Sequence, residues 1–189
     1  FVIVLSPRAG ALVARVGPRP LLTLGPLLMA VALMWFARVP AGSQPWTLNL
    51  GHPASYLPPP SYWVDILPGT VLFGLGISTL VSPLTATLMG SVPPEHGGVA
   101  SAFNNAVSRV GPQLAGSAVF VAVSATFFSQ LGRHPAGLSP LNRPVDPALV
   151  SEAAGASVTA FHLAMGICVG MLLVGALIAL FGLNSRPRS

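Results

Sequence analysis

The sequence contains no lysine, and charge of either sign is scarce: 7% of residues are charged, against 52% that are hydrophobic. A soluble globular domain carries roughly 25% charged residues. So small a supply cannot cover a surface facing water, which argues against an ordinary soluble domain and for lipid as the solvent. All nine basic residues are arginine, and they outweigh the four carboxylates to give a formal charge of +5. They stand singly between apolar stretches instead of clustering on one face, so the basic patch of a nucleic-acid binder is missing and no such partner is expected. A lone cysteine, Cys168, rules out an internal disulfide, and no Cys/His spacing suits a metal. Within its apolar run, Cys168 is expected to be a small filler. No Ser/His/Asp or Cys/His constellation and no Gly-rich phosphate loop is present, so neither an enzyme nor a cofactor is expected.

What the chain does have is a series of long apolar runs. The first, residues 1–14, is interrupted by Arg8 and covers only ~21 Å as a helix. A bilayer core is ~30 Å thick, so this run reads as the tail of a helix that starts upstream. It lacks the basic leader of a secretory signal. Complete spans are expected at about 20–38, 62–90, 98–128 and 157–183. Arg19 and Arg38 bracket the first of them, and Pro20 sits where a missing N–H matters least. The second would run ~44 Å between Asp65 and Glu95 if helical throughout. Tilt, a break at Pro83 or an end beyond the lipid would absorb the excess. Residues 39–61 form a Pro- and Gly-rich loop with Trp46, Tyr56, Tyr62 and Trp63 in or beside it, aromatics suited to the headgroup level. Residues 130–156 form a second long loop, with the last helix able to start early after Pro147.

Arginine placement orients the spans. Arg8, Arg15, Arg19, Arg186 and Arg188 fall on one side, and Arg38, Arg133 and Arg143 on the other. The first side is cytoplasmic by the positive-inside rule. A multi-pass protein of the cell membrane with a cytoplasmic C-terminus is expected.

Three segments carry motifs. The first is Gly10-Ala11-Leu12-Val13-Ala14-Arg15-Val16-Gly17-Pro18-Arg19-Pro20-Leu21-Leu22. Here a tight, positively charged turn joins two spans: Gly10 allows close approach of helices, and Gly17 permits the reversal. This segment resembles the signature cytoplasmic loop of the major facilitator superfamily, G-x-L-a-D-r-x-G-r-k-x-x-l. Gly10, Leu12, Arg15, Gly17, Arg19 and Leu22 fall on matching positions. Ala14 stands where the family has Asp and Pro18 where it has a basic residue, as suits the degenerate copy in the family's C-terminal half.

The second motif runs from Leu67-Pro68-Gly69 through Phe73-Gly74-Leu75-Gly76-Ile77-Ser78 to Ser82-Pro83-Leu84-Thr85-Ala86-Thr87. Gly74, Ser78 and Ser82 recur at i, i+4 and i+8, a small-residue face suited to helix packing. Pro83 removes a backbone donor and is expected to bend the helix. The third, within residues 100–116, places Asn104, Asn105, Arg109 and Gln113 in an apolar span, where polar groups are costly and turn away from lipid. Arg109 has two readings: a residue near the membrane boundary that snorkels to water, or a member of a substrate or coupling pathway. Gly111-Pro112 with Gly116 resembles a weakened G-P-x-x-G-G antiporter motif.

Together the second and third motifs look most like the fourteen-span drug:proton antiporter branch of the superfamily. The resemblance covers roughly residues 7–128. It implies an all-α polytopic membrane helix bundle, the C-terminal part of an exporter, working with an N-terminal bundle of the same protein on a small-molecule substrate and protons. It also implies that the proton-carrying acid lies upstream, since no complete span here holds a deep carboxylate. His162, near the start of the last span, is either a proton relay or a packed interfacial residue. A membrane scaffold or accessory subunit with no transport pathway is the alternative.

Overall fold

The computed structural model describes residues 16–38, 46, 49–132, 138–140 and 149–182. Every regular element among them is helical. Four long helices dominate: α1 (Pro18–Phe36), α2 (Leu67–Gly90), α3 (Gly97–Leu131) and α4 (Val150–Gly182). Each is long and apolar enough to cross a membrane.

Local chemistry sets the ends of these helices. Gly17 precedes α1 with φ +80°, a left-handed conformation that glycine adopts without strain. Pro18 and Pro20 then occupy the first turn, where their missing N–H groups leave no bond unmade. Between α1 and α2 a short 3₁₀ turn, Pro53–Tyr56, is tied down by its neighbours. The Trp46 indole donates to the Ser55 carbonyl at 2.8 Å, and the Tyr56 hydroxyl donates to the Leu50 carbonyl at 3.0 Å. The Trp46 and Tyr62 rings meet edge to face at 5.6 Å.

A π-helical turn, Tyr62–Ile66, leads into α2. Pro68 follows it and has no N–H to give to the carbonyl of Val64, four residues back. The Trp35 indole from the end of α1 donates to that carbonyl instead, at 3.2 Å. Arg38 stacks over the Trp35 ring, 3.8 Å from its centroid, a cation–π contact.

The chain divides into two compact units, one of Phe1–Ser101 with Cys168–Ser189, the other of Ala102–Ile167. In the first, α1 and α2 lie antiparallel and pack closely because glycines face each other. A Cβ on Gly76 would lie 2.8 Å from the Gly25 carbonyl oxygen, and a Cβ on Gly25 would lie 3.0 Å from the Gly76 oxygen. Gly69 similarly makes room for the Phe36 ring, whose nearest carbon would be 2.6 Å from an added Cβ. The contact line is therefore Gly69 and Gly76 against Phe36 and Gly25. Of the face expected from sequence, Ser78 is fully buried and donates to the Gly74 carbonyl at 2.7 Å, while Gly74 is half-buried. The side chain of Ser82 lies outside the described residues. Pro83 is buried, and α2 runs through it without ending, so the expected break is not a helix boundary.

In the second unit, Phe127 of α3 is completely buried against Ala153, Ala156 and Ala160 of α4, three methyl-sized residues at near-helical spacing. This packing explains why α4 begins at Val150 and not near Ser157. The segment is too polar to count as a lipid span, but its alanines have a ring to cover, and Glu152 sits in the first turn, favoured by the helix dipole. Likewise α3 extends to Leu131, past the expected end at 128.

The interior consists largely of small residues. Among the described residues, besides Leu21, Leu22, Phe127 and the prolines Pro26 and Pro83, the buried apolar side chains are alanines. The large apolar side chains face outward, as in the stripe Leu24, Leu27, Val31 and Met34 on α1. In water this distribution is unfavourable, since contiguous exposed apolar surface is expelled. In lipid it is the expected one, with small residues between helices and large ones toward the acyl chains.

Candidate functional site

The charged side chain set deepest in any of the four long helices is that of Arg109, on α3. The helix is 35 residues long, which is ~52 Å, well beyond the ~30 Å of a bilayer core. Arg109 stands ~18 Å along it from Gly97. The uncharged stretch of residues 110–128 that follows is about long enough for one crossing. If α3 crosses a bilayer, the guanidinium would fall near a boundary between lipid and water, or inside the lipid with the helix set lower.

Asn105, Arg109 and Gln113 recur at i, i+4 and i+8 and so share one face of α3 over ~12 Å. All three are exposed, and Asn104 beside them is half-buried. The Ser108 hydroxyl does not join this ridge as a free donor, because it donates to the Asn104 carbonyl within the helix. The ridge thus offers two or three amides, which both donate and accept, and one guanidinium, which donates only. An arginine keeps its proton under physiological conditions. The ridge can bind and orient a polar or anionic group but holds no proton carrier of its own.

Phe103, Val107, Val110 and Leu114 are likewise exposed on the remaining faces of the same stretch. Around Gly111 and Gly116 an added Cβ would meet nothing within 4 Å. Pro112 lies inside an uninterrupted helix. The four polar candidates share one stretch of α3, whereas the packing residues Gly74 and Ser78 lie on α2.

Of the cytoplasmic-loop motif, Gly17 and Arg19 are described, as the cap and first turn of α1. The Arg19 carbonyl accepts the Thr23 hydroxyl at 2.8 Å. Gly10, Leu12 and Arg15 lie outside the described residues. His162 is exposed on α4, 6.2 Å from the Phe161 ring, and Cys168 is a half-buried free thiol. One feature that motif reading missed is a cavity between α1, α2 and α4 in the first unit. Its only sequence trace is the row of glycines on α4. Compared with known proteins, the chain matches no family model, no curated protein and no solved structure.

Proposed function

We propose that this chain forms one wall of the substrate pathway in a membrane exporter of the major facilitator type, coupled to protons and working by alternating access. The observation that carries this reading is the ridge Asn105, Arg109 and Gln113, a strip of exposed polar side chains on one face of an apolar helix. Polar groups at membrane depth persist where they face protein or a water-filled path. A partner bundle related to this one would cover the ridge and enclose a cavity between the two. The loop motif through Gly17 and Arg19 and the residue pattern of 67–116 support the same assignment by resemblance. Substrate binds against the amides and the guanidinium of α3. The proton-coupling carboxylate belongs to the partner bundle.

The test is accumulation of a fluorescent drug in cells expressing the full-length protein, with and without a proton uncoupler. Wild-type protein lowers accumulation, and the uncoupler abolishes the effect. At equal membrane expression, Arg109→Ala reduces efflux about 10- to 100-fold, the range for losing a charged hydrogen bond. Unchanged efflux by Arg109→Ala would remove this residue from the pathway. No efflux by the wild type would favour a scaffold with no transport path.

A further inference from the structure

A cavity of about 590 Å³ lies between α1, α2 and α4 within the first unit. It occupies the end of the unit where α1 begins and α2 and α4 finish: Leu22 is close to the start of α1, Ser91 just follows α2, and Gly182 ends α4. The size is that of a small-molecule pocket. Its wall is leucine, proline, methionine, glycine, isoleucine and alanine, with Thr87 and Ser91 the two exceptions, and it carries no charge. Leu84, Met171 and Ile178 on its rim are exposed, so the space opens outward toward the same surroundings as the apolar helix faces.

Thr87 supplies a second, independent observation. Its hydroxyl oxygen is shielded from solvent and has no hydrogen-bond partner. Other hydroxyls of α2 are satisfied internally: Thr70, Ser78, Thr79 and Thr85 each donate to the carbonyl four residues back. Ser91 donates to Leu88 at 2.7 Å. Thr87 alone among these lines the cavity with a donor unused, and a shielded hydroxyl without a partner is unfavourable.

We propose that this cavity binds one acyl chain of a bilayer phospholipid, with the Thr87 hydroxyl donating to the ester carbonyl of that chain. The uncharged wall keeps the headgroup out. Thr87 lies one turn from the end of α2, at the level where an acyl chain meets its ester when the helix ends reach the interface. Gly175 faces the cavity with nothing within 4 Å of an added Cβ, which leaves room for the chain. The inference rests on the helices crossing a bilayer and is independent of transport.

The experiment uses the full chain in phosphatidylcholine liposomes doped with a phosphatidylcholine that carries a photoactivatable diazirine on its acyl chain. Cross-linked peptides are mapped by mass spectrometry. Labelling concentrates on residues 80–91 and 171–182 and exceeds that of the outward stripe on α1. Thr87→Val, which keeps the shape and removes the donor, lowers it about two- to tenfold, the range for a neutral hydrogen bond. Gly175→Leu, which fills the space, abolishes the excess, with circular dichroism confirming unchanged helix content. Uniform labelling of all outward faces, or an excess that Thr87→Val leaves intact, overturns the lipid site while the membrane reading stands. Failure of the chain to insert into the liposomes overturns both.

Discussion

At the scale of single residues, the junction of α1 and α2 turns on one carbonyl. Pro68 deprives Val64 of its helical donor, and Trp35 donates in its place at 3.2 Å. Replacing Trp35 by Phe keeps a ring but strands that carbonyl. The expected loss is about 0.5–1.5 kcal/mol in unfolding titrations with a denaturing detergent. The same substitution in a Pro68→Ala background costs less, because residue 68 then has an N–H of its own to offer. Equal losses in both backgrounds would mean that the indole stabilises by packing alone. Neither half of this pairing was legible in the sequence. Only the antiparallel register of the two helices brings Trp35 to the carbonyl that Pro68 leaves without its helical donor. The aromatics at 46, 56, 62 and 63 were legible as a group, but not the carbonyls that Trp46 and Tyr56 bind.

At the scale of elements, glycine decides how closely α1 and α2 approach. The sequence shows a small-residue face on α2, and Ser78 is indeed buried there. The line of contact runs through Gly69 and Gly76, which pattern reading cannot select until Gly25 is known to lie opposite. Gly76→Ala would press a methyl group on the backbone of α1, where the Gly25 oxygen and the Met29 nitrogen would lie 2.8 and 3.0 Å away. Gly69→Ala would first meet the Phe36 ring, a side chain that can turn aside. Gly76→Ala is therefore expected to cost more, about 1–3 kcal/mol, and the order of the two midpoints in the same titration checks it. In the second unit, Phe127→Ala removes the ring that Ala153, Ala156 and Ala160 cover. A loss of about 3–5 kcal/mol is expected, with early proteolysis near the start of α4. The early start of that helix after Pro147 was legible as an option in the sequence, but not its cause, the packing of Ala153, Ala156 and Ala160 on Phe127. At Pro83 the helix continues, since one missing donor does not end a helix whose neighbouring turns remain bonded.

At the scale of the whole molecule, composition alone pointed to helices solvated by lipid, and the burial pattern is compatible with it. Among the described residues most large apolar side chains are exposed, while alanine supplies most of the buried hydrophobic positions, with Leu21, Leu22 and Phe127 the exceptions. The ridge on α3 was legible residue by residue, from four polar side chains in an apolar run. The claim underlying all the rest is that these helices cross a bilayer. The direct measurement is fractionation of cells expressing the chain, followed by an alkaline carbonate wash and then detergent. The account predicts that the protein stays with the membrane pellet through the wash and is released only by detergent. Recovery in the aqueous supernatant as a monodisperse species without detergent would contradict it.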